Sequence, residues 1–200
     1  MIKAVLFDAD GVVVTPEKIF SQRMHEEYGV PKEDLEDFFH GEFQQCLVGK
    51  SDLRDLLRGK IEGWNWRGTI DELMDYWFSN ESKTDERVLG IVKQLREKGV
   101  KCYLATNQEK YRTEYFRNQM KLGERFDGIF SSAYVGYKKE QPEFFKHVIE
   151  SLDVKPEEIA LWDDSKDHIE SARDLGIQAY LYMDFENFKT QMVALVGVSV

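Results

Sequence analysis

The segment Lys3-Ala4-Val5-Leu6-Phe7-Asp8-Ala9-Asp10-Gly11 carries an apolar run directly into two carboxylates and a glycine. A short, uninterrupted apolar run suits a strand buried on both faces of a sheet. Four similar runs follow, at Lys101 to Ala105, Gly128 to Ser131, Ile159 to Trp162 and Gln178 to Tyr182. Helical segments separate them. Asp85 to Lys98 sets Val88, Ile91, Val92 and Leu95 at i, i+3, i+4 and i+7, with Thr84 as the expected N-cap and Gly99 just past the end. Glu109 to Met120, Pro142 to Leu152 and Lys166 to Leu175 complete the series; a proline opens the second and Gly176 follows the third. This alternation predicts an α/β domain built on a mostly parallel five-stranded sheet.

One connection breaks the rhythm. Thr15 to Thr84 is far longer than an ordinary crossover and reads as helices only. Pro16 to Tyr28, Lys32 to His40, Ser51 to Lys60 (capped by Ser51) and Thr69 to Asn80 are the expected helices. Thr69-Ile70-Asp71-Glu72 has the form of a capping box. The expectation is a small all-α unit over residues 15–84, inserted after the first strand of a core made of 1–14 and 85–200. Its hinges are expected at Val14 to Pro16 and Ser79 to Thr84. The aromatics of the insert, among them Phe38, Phe39, Phe43, Trp64, Trp66, Tyr76, Trp77 and Phe78, read as its core. The apolar end, Val193 to Val200, is expected to pack on the body or on a second subunit, so a monomer or a homodimer is expected.

Composition narrows the function classes. Hydrophobic residues make up 42% of the 200, enough for a packed core. Asp and Glu number 37 against 27 Lys and Arg, a net charge of −10, and no basic cluster offers a face to nucleic acid. No apolar run is long enough to span a membrane. The N-terminus lacks the layout of a signal peptide. Cys46 and Cys102 make no disulfide framework. A cytoplasmic protein with free thiols is expected.

Ligands of open parallel sheets sit beyond the carboxyl ends of the strands. Asp8, Asp10 and Gly11 follow the first strand, Thr106 and Asn107 the second, Lys138 and Lys139 the third, and Asp163 and Asp164 end the fourth. Carboxylates gathered in one crevice raise one another's pKa unless a cation neutralises them, and Mg2+ is the hard cation that carboxylates and phosphate oxygens share. Asp8 and Asp10, two apart, would leave an extended backbone on the same side, and Gly11 permits a sharp turn after them. One carboxylate can then act as nucleophile while its neighbour handles protons. Thr106, Asn107 and a lysine can meet phosphoryl oxygens. Each piece has a plainer reading: Thr106-Asn107 and Asp163-Asp164-Ser165 are also good helix starts, and lysine pairs are commonly solvated. The histidines, His25, His40, His147 and His168, show no metal-ligand spacing and read as surface or partly buried residues.

Taken in order, Phe7-Asp8-Ala9-Asp10-Gly11-Val12, Ala105-Thr106-Asn107, Tyr137-Lys138-Lys139-Glu140-Gln141-Pro142-Glu143 and Leu161-Trp162-Asp163-Asp164-Ser165 resemble the four motifs of the haloacid dehalogenase-like hydrolase superfamily. The match runs over nearly the whole chain. The resemblance implies a Rossmann-like parallel core with a small helical cap. It implies a Mg2+-dependent phosphatase working on a small phosphate ester through an aspartyl-phosphate on Asp8, with Asp10 as acid and base. The metal would be held by the Asp8 carboxylate, the Asp10 main-chain carbonyl and Asp164, with Asp163 supporting it without ligating it. Thr106, Asn107 and Lys139 would hold the phosphoryl group. Glu140 stands where the family commonly has proline, so Lys138 remains an alternative to Lys139. The small cap is similar to that of sugar-phosphate phosphatases, which makes a sugar phosphate the leading substrate class. A phosphomutase of the same superfamily, or a non-catalytic phospho-regulator, are the rival readings. Asp10 argues against a dehalogenase.

Overall fold

The computed structural model describes residues 1–196. Five strands, β1 (Ala4–Phe7), β2 (Lys101–Thr106), β3 (Gly128–Ser131), β4 (Ile159–Asp163) and β5 (Gln178–Leu181), form one all-parallel sheet in the order β3-β2-β1-β4-β5. The expected α/β, Rossmann-like core is therefore present. β1 and β4 are buried along their whole length, as their unbroken apolar sequences require, while the edge strands β3 and β5 are only partly covered. The chain moves outward from β1 to β3, then crosses back to β4. The reversal falls between β1 and β4, where Phe7 lies opposite Trp162 and the Asp8 N–H donates to the Trp162 carbonyl at 2.9 Å.

Side-chain alternation assigns each strand residue to one of two cores. Val5, Phe7, Ala160 and Trp162 face a cluster closed by α6 (Glu86–Glu97), α7 (Lys110–Asn118), α8 (Leu122–Arg125) and α12 (Phe185–Val196). Leu6, Ile159 and Leu161 face the other, closed by α10 (Pro142–Leu152) and α11 (Lys166–Arg173). A four-residue helix, α9 (Ser132–Val135), follows β3.

The long connection after β1 is helical, as expected: α1 (Phe20–Tyr28), α2 (Lys32–His40), α3 (Phe43–Leu47), α4 (Leu53–Arg58) and α5 (Ile70–Asn80). It has its own core, with Phe20, Phe38, Trp64, Leu73 and Trp77 buried together and the Phe20 and Trp77 rings stacked at 4.5 Å. Its entry and exit run side by side. Thr15 N–H donates to the Lys83 carbonyl at 2.8 Å, and Asp85 N–H to the Val13 carbonyl at 2.9 Å.

Several local expectations are corrected. α1 begins at Phe20 rather than Pro16, because the Glu81 carboxylate accepts the Phe20 N–H and so supplies the helix start from outside. Asp52 caps α4 instead of Ser51, accepting from Arg54 N–H at 2.8 Å. Asp85 caps α6 instead of Thr84, accepting from Arg87 N–H at 2.9 Å; Thr84 is instead bridged to Val14. α3 follows directly on Gly41-Glu42, a stretch that reads as a turn. The C-terminal segment folds as α12 from Phe185, burying Phe188 and Met192, while residues 197–200 lie outside the described residues.

Candidate active site

The buried centre follows from the alternation in β1 and β4. Asp8 shares a face with Leu6, and Asp163 with Leu161, so both carboxylates project toward the layer of α10 and α11. Lys139 enters from that layer, three residues ahead of α10. Its Nζ lies 2.7 Å from Asp8 Oδ1 and 2.7 Å from Asp163 Oδ2, and the side chain is 1% exposed. Lys138 points elsewhere: its Nζ is 2.6 Å from Glu140 Oε1 and donates to Gln44 Oε1 of the insert at 3.1 Å. Asn107 pins the lysine loop, its Oδ1 accepting the Lys139 N–H at 2.8 Å and its Nδ2 donating to Glu140 Oε2 at 3.0 Å. Thr106, at the end of β2, is buried, and its hydroxyl makes no hydrogen bond among the described residues.

One ammonium cannot neutralise two carboxylates, and the surroundings decide which keeps its charge. Burial works to raise Asp163, but Lys139 and His168 overcome it and hold the carboxyl down to about 2. The Ser165 N–H donates to Asp163 Oδ1 at 2.9 Å, and His168 Nδ1 lies 2.9 Å from the same atom. Asp8 carries the excess. Burial, with Asp163 and Asp10 adding repulsion, pushes its carboxyl well above the usual range despite Lys139.

The loop after β1 turns tightly, with both Val13 N–H and Val14 N–H donating to the Ala9 carbonyl. β1 ends at Phe7, so a turn rather than extended backbone carries the two carboxylates. The Asp8 side chain turns to Lys139. The Asp10 side chain, 46% exposed, is held by Gln108 Nε2 at one oxygen and by Arg112 Nη2 at the other, 3.2 Å away. Gly11 sits in the turn at φ +83°, and a Cβ there would clash with the Asp164 carboxylate. Glycine is thus required twice, by the backbone and by the carboxylate pressed against it.

Asp8, Asp163 and His168 bring ligand atoms within 4.8 Å of one another. Lys139 already occupies the gap between the two carboxylates, so a metal in that gap would meet its charge. The other side is better suited. Asp164 forms no ion pair among the described residues, and burial and Asp163 push its carboxyl up. Asp8 is raised as well, although Lys139 lies 2.7 Å from its Oδ1. Asp164, raised and without an ion pair among the described residues, together with the raised Asp8 is a donor set that fits a hard divalent cation such as Mg2+.

Between this centre and the helical insert opens a cleft of about 630 Å3. Asp10, Asn107, Gln108 and Arg112 form its floor, and Phe20, Phe39, Phe43 and Trp77 contribute aromatic walls from the insert. Some insert aromatics are thus both bundle core and cleft wall. Three residues of this site lie outside the four motifs. His168 shows itself in sequence only as a histidine in the first turn after Asp163-Asp164. Gln108 and Arg112 carry no sequence signal beyond following Thr106-Asn107.

Comparison with known proteins now decides the family. The description "haloacid dehalogenase-like hydrolase" matches residues 2–176. The chain belongs to this family of hydrolases. A phosphorylated carbohydrates phosphatase from Thermotoga maritima is 29% identical over 185 residues, spanning 88% of this chain and 83% of that protein. A predicted haloacid dehalogenase-like hydrolase from Porphyromonas gingivalis superposes over 100% of both chains with a TM-score of 0.82 and 20% identity. The family enzyme bt-2542 from Bacteroides thetaiotaomicron, solved with magnesium and inorganic phosphate, superposes over 94% of this chain and 99% of its own, with a TM-score of 0.78 and 24% identity. At those identities the two structures support the fold. The expectation of an enzyme that hydrolyses is met by the family match, and a phosphatase stands among its relatives. No helix among the described residues is long and apolar enough to cross a membrane.

Proposed function

We propose that this haloacid dehalogenase-like hydrolase is a Mg2+-dependent phosphatase that cleaves a small phosphate monoester through an aspartyl-phosphate on Asp8. The observation that carries the reading is the buried Lys139 ammonium, shared at 2.7 Å between Asp8 and Asp163 where the strand order reverses. It fixes the Asp8 carboxylate at the end of β1, where an attacking oxygen is needed. The nucleophilic oxygen forms a bond to phosphorus as the ester P–O bond breaks, and Asp10 gives the departing oxygen its proton. Asp10 then takes a proton from the water that attacks the phosphoaspartate, which releases inorganic phosphate and restores Asp8. The buried Thr106 hydroxyl and the Asn107 backbone N–H serve as donors to the phosphoryl oxygens. Asp8, the Asp10 main-chain carbonyl and Asp164 would hold Mg2+, which supplies charge neutralisation to the carboxylates and the phosphoryl group when bound.

In this reading residues 15–84 are a cap over a core of 1–14 and 85–200, and the cap holds the leaving group in the cleft while keeping water from the first step. The Thermotoga relative's name favours a sugar phosphate as the substrate class. The test is phosphate release from an aryl phosphate and a panel of sugar phosphates, with Mg2+ and with chelator, for wild type and Asp8→Asn. Turnover lost on chelation and in the variant supports the reading. No release by wild type from any ester with Mg2+ present would sink it.

A further inference from the structure

Arg112 is a buried charged side chain bordering the cleft, its Nη1 paired with Glu81 by charge but without a hydrogen bond, and the family motifs do not include it. It lies on α7, with its side chain 3% exposed. Its guanidinium packs over Phe116 and Phe78, 5.0 and 5.8 Å from the ring centres. A buried guanidinium stays charged, so it must be matched by carboxylates. Two are present. Nη2 lies 3.2 Å from Asp10 Oδ1 and donates to the Glu81 carbonyl at 3.3 Å, while Nη1 lies 3.1 Å from Glu81 Oε2. Glu81 is in turn held by the insert, accepting from Phe20 N–H and from Trp77 Nε1 at 3.1 Å. Asp10 lies in the turn after β1, and Glu81 is the residue that ends α5 of the insert. The planar fork of Arg112 spans the two.

We propose that Arg112 is the positioning residue for Asp10: it aims the Asp10 carboxylate at the cleft and, through Glu81, ties that aim to the seating of the helical insert on the core. The proposal rests on the reading of Asp10 as the group that protonates the leaving oxygen. Gln108 orients the second Asp10 oxygen and does not replace Arg112, because among the described residues its amide makes no hydrogen bond to Glu81. A lysine at 112 would keep the charge but lose the fork that reaches both carboxylates at once.

The leaving group provides a readout that a merely structural role would not move. A nitrophenolate departs without a proton, whereas an alkoxide from glycerol phosphate requires one. The constant to compare is kcat/KM, which reports steps up to phosphoryl transfer and is blind to hydrolysis of the phosphoenzyme. In the full chain with Mg2+, Arg112→Gln is expected to lower kcat/KM for glycerol phosphate about 10²-fold, the scale of a misplaced general acid, and for p-nitrophenyl phosphate by about threefold or less. Arg112→Lys is expected to recover part of the difference. Glu81→Gln is expected to shift the ratio of the two constants in the same direction, by a smaller factor, and it keeps the proposal testable should Arg112→Gln fail to fold. An equal fall for both esters, or no change in the ratio for either Arg112→Lys or Glu81→Gln, overturns the proposal while leaving the phosphatase reading intact. No Mg2+-dependent release by wild type from either ester removes the phosphatase reading, and the role for Arg112 falls with it.

Discussion

Replacing Lys139 with methionine keeps most of the side-chain volume and removes only the ammonium. The consequence can be sized from the structure. Asp163 drops from the ordinary 3.8 to about 2 in the folded protein, with Lys139 the main opponent of the burial that would raise it. A depressed carboxyl contributes stability that is present above its unfolded value, near 3.8, and is lost as pH falls through about 2. At neutral pH that contribution is about 2 kcal/mol. Lys139→Met forfeits much of it and leaves Asp8 and Asp163 with no ammonium between them, His168 alone remaining beside Asp163. Lys139 is 1% exposed and Asp163 fully buried, so solvent does not screen the loss. Breaking such a pair costs about 3–5 kcal/mol, or about 6–20 °C in melting temperature for a chain of this size.

The pH dependence identifies the cause. In the variant Asp8, already raised by burial, loses the ammonium that opposes the rise, and Asp163 keeps only His168 and the Ser165 N–H. A raised carboxyl contributes stability at low pH that is lost as pH rises. The gap between wild type and variant must therefore narrow as pH falls from 8 to 5. Urea unfolding in chelator at pH 8, 6 and 5 measures it, with unchanged m-values confirming that the same structure unfolds. A gap below about 1 kcal/mol at pH 8 would refute the reasoning. So would a full gap of the same size at all three pH values, since it would mean that lost packing, not unmatched charge, is responsible.

Gly11→Ala introduces a Cβ that would clash with the Asp164 carboxylate, on a backbone at φ +83°. It is expected to destabilise the fold by about 1–2 kcal/mol and to raise the Mg2+ concentration needed for half-maximal phosphate release, read from a metal titration. Burial pushes the Glu109 carboxyl from 4.5 up to about 7, although Tyr111 and Arg112 N–H groups donate to it. A raised carboxyl contributes stability that is full below pH 4.5 and lost as pH rises through 7. Glu109→Gln should remove a stability difference of about 3 kcal/mol between pH 5 and pH 8, read as the change relative to wild type in parallel urea titrations. Asp8→Asn should be at least as stable as wild type at pH 8 in chelator, because the charge that burial raises is gone. A clear loss of stability there would show that the Asp8 charge is well matched in the apo protein.

Local chemistry made much of this molecule legible in its sequence. Unbroken apolar runs mark β1 and β4 because strands buried on both faces have no polar side to display. Proline at the start of α10 and the Thr69-Glu72 box at α5 mark helix ends within single turns. Asp8, Thr106 and Asp163 could be placed near one another because strand ends in a parallel sheet converge on one edge. Helix starts went astray where the partner was distant. α1 begins at Phe20 because a carboxylate sixty-one residues away accepts its N–H.

What the tertiary structure alone decided is which charges meet. Lys138 and Lys139 are adjacent and chemically identical in sequence. Only the approach of the α10 layer to the ends of β1 and β4 buries one of them between Asp8 and Asp163 and leaves the other on Glu140 and Gln44. That Asp8 meets Lys139 while Asp10 meets Gln108 and Arg112 is likewise a property of the turn, not of the two-residue spacing. Glu81 and Arg112 stand thirty-one residues apart on different parts of the chain, without a spacing to betray them. A buried guanidinium finds its carboxylates through space, because the cost of leaving any of those charges unmatched depends on burial, and burial exists only once the chain has folded.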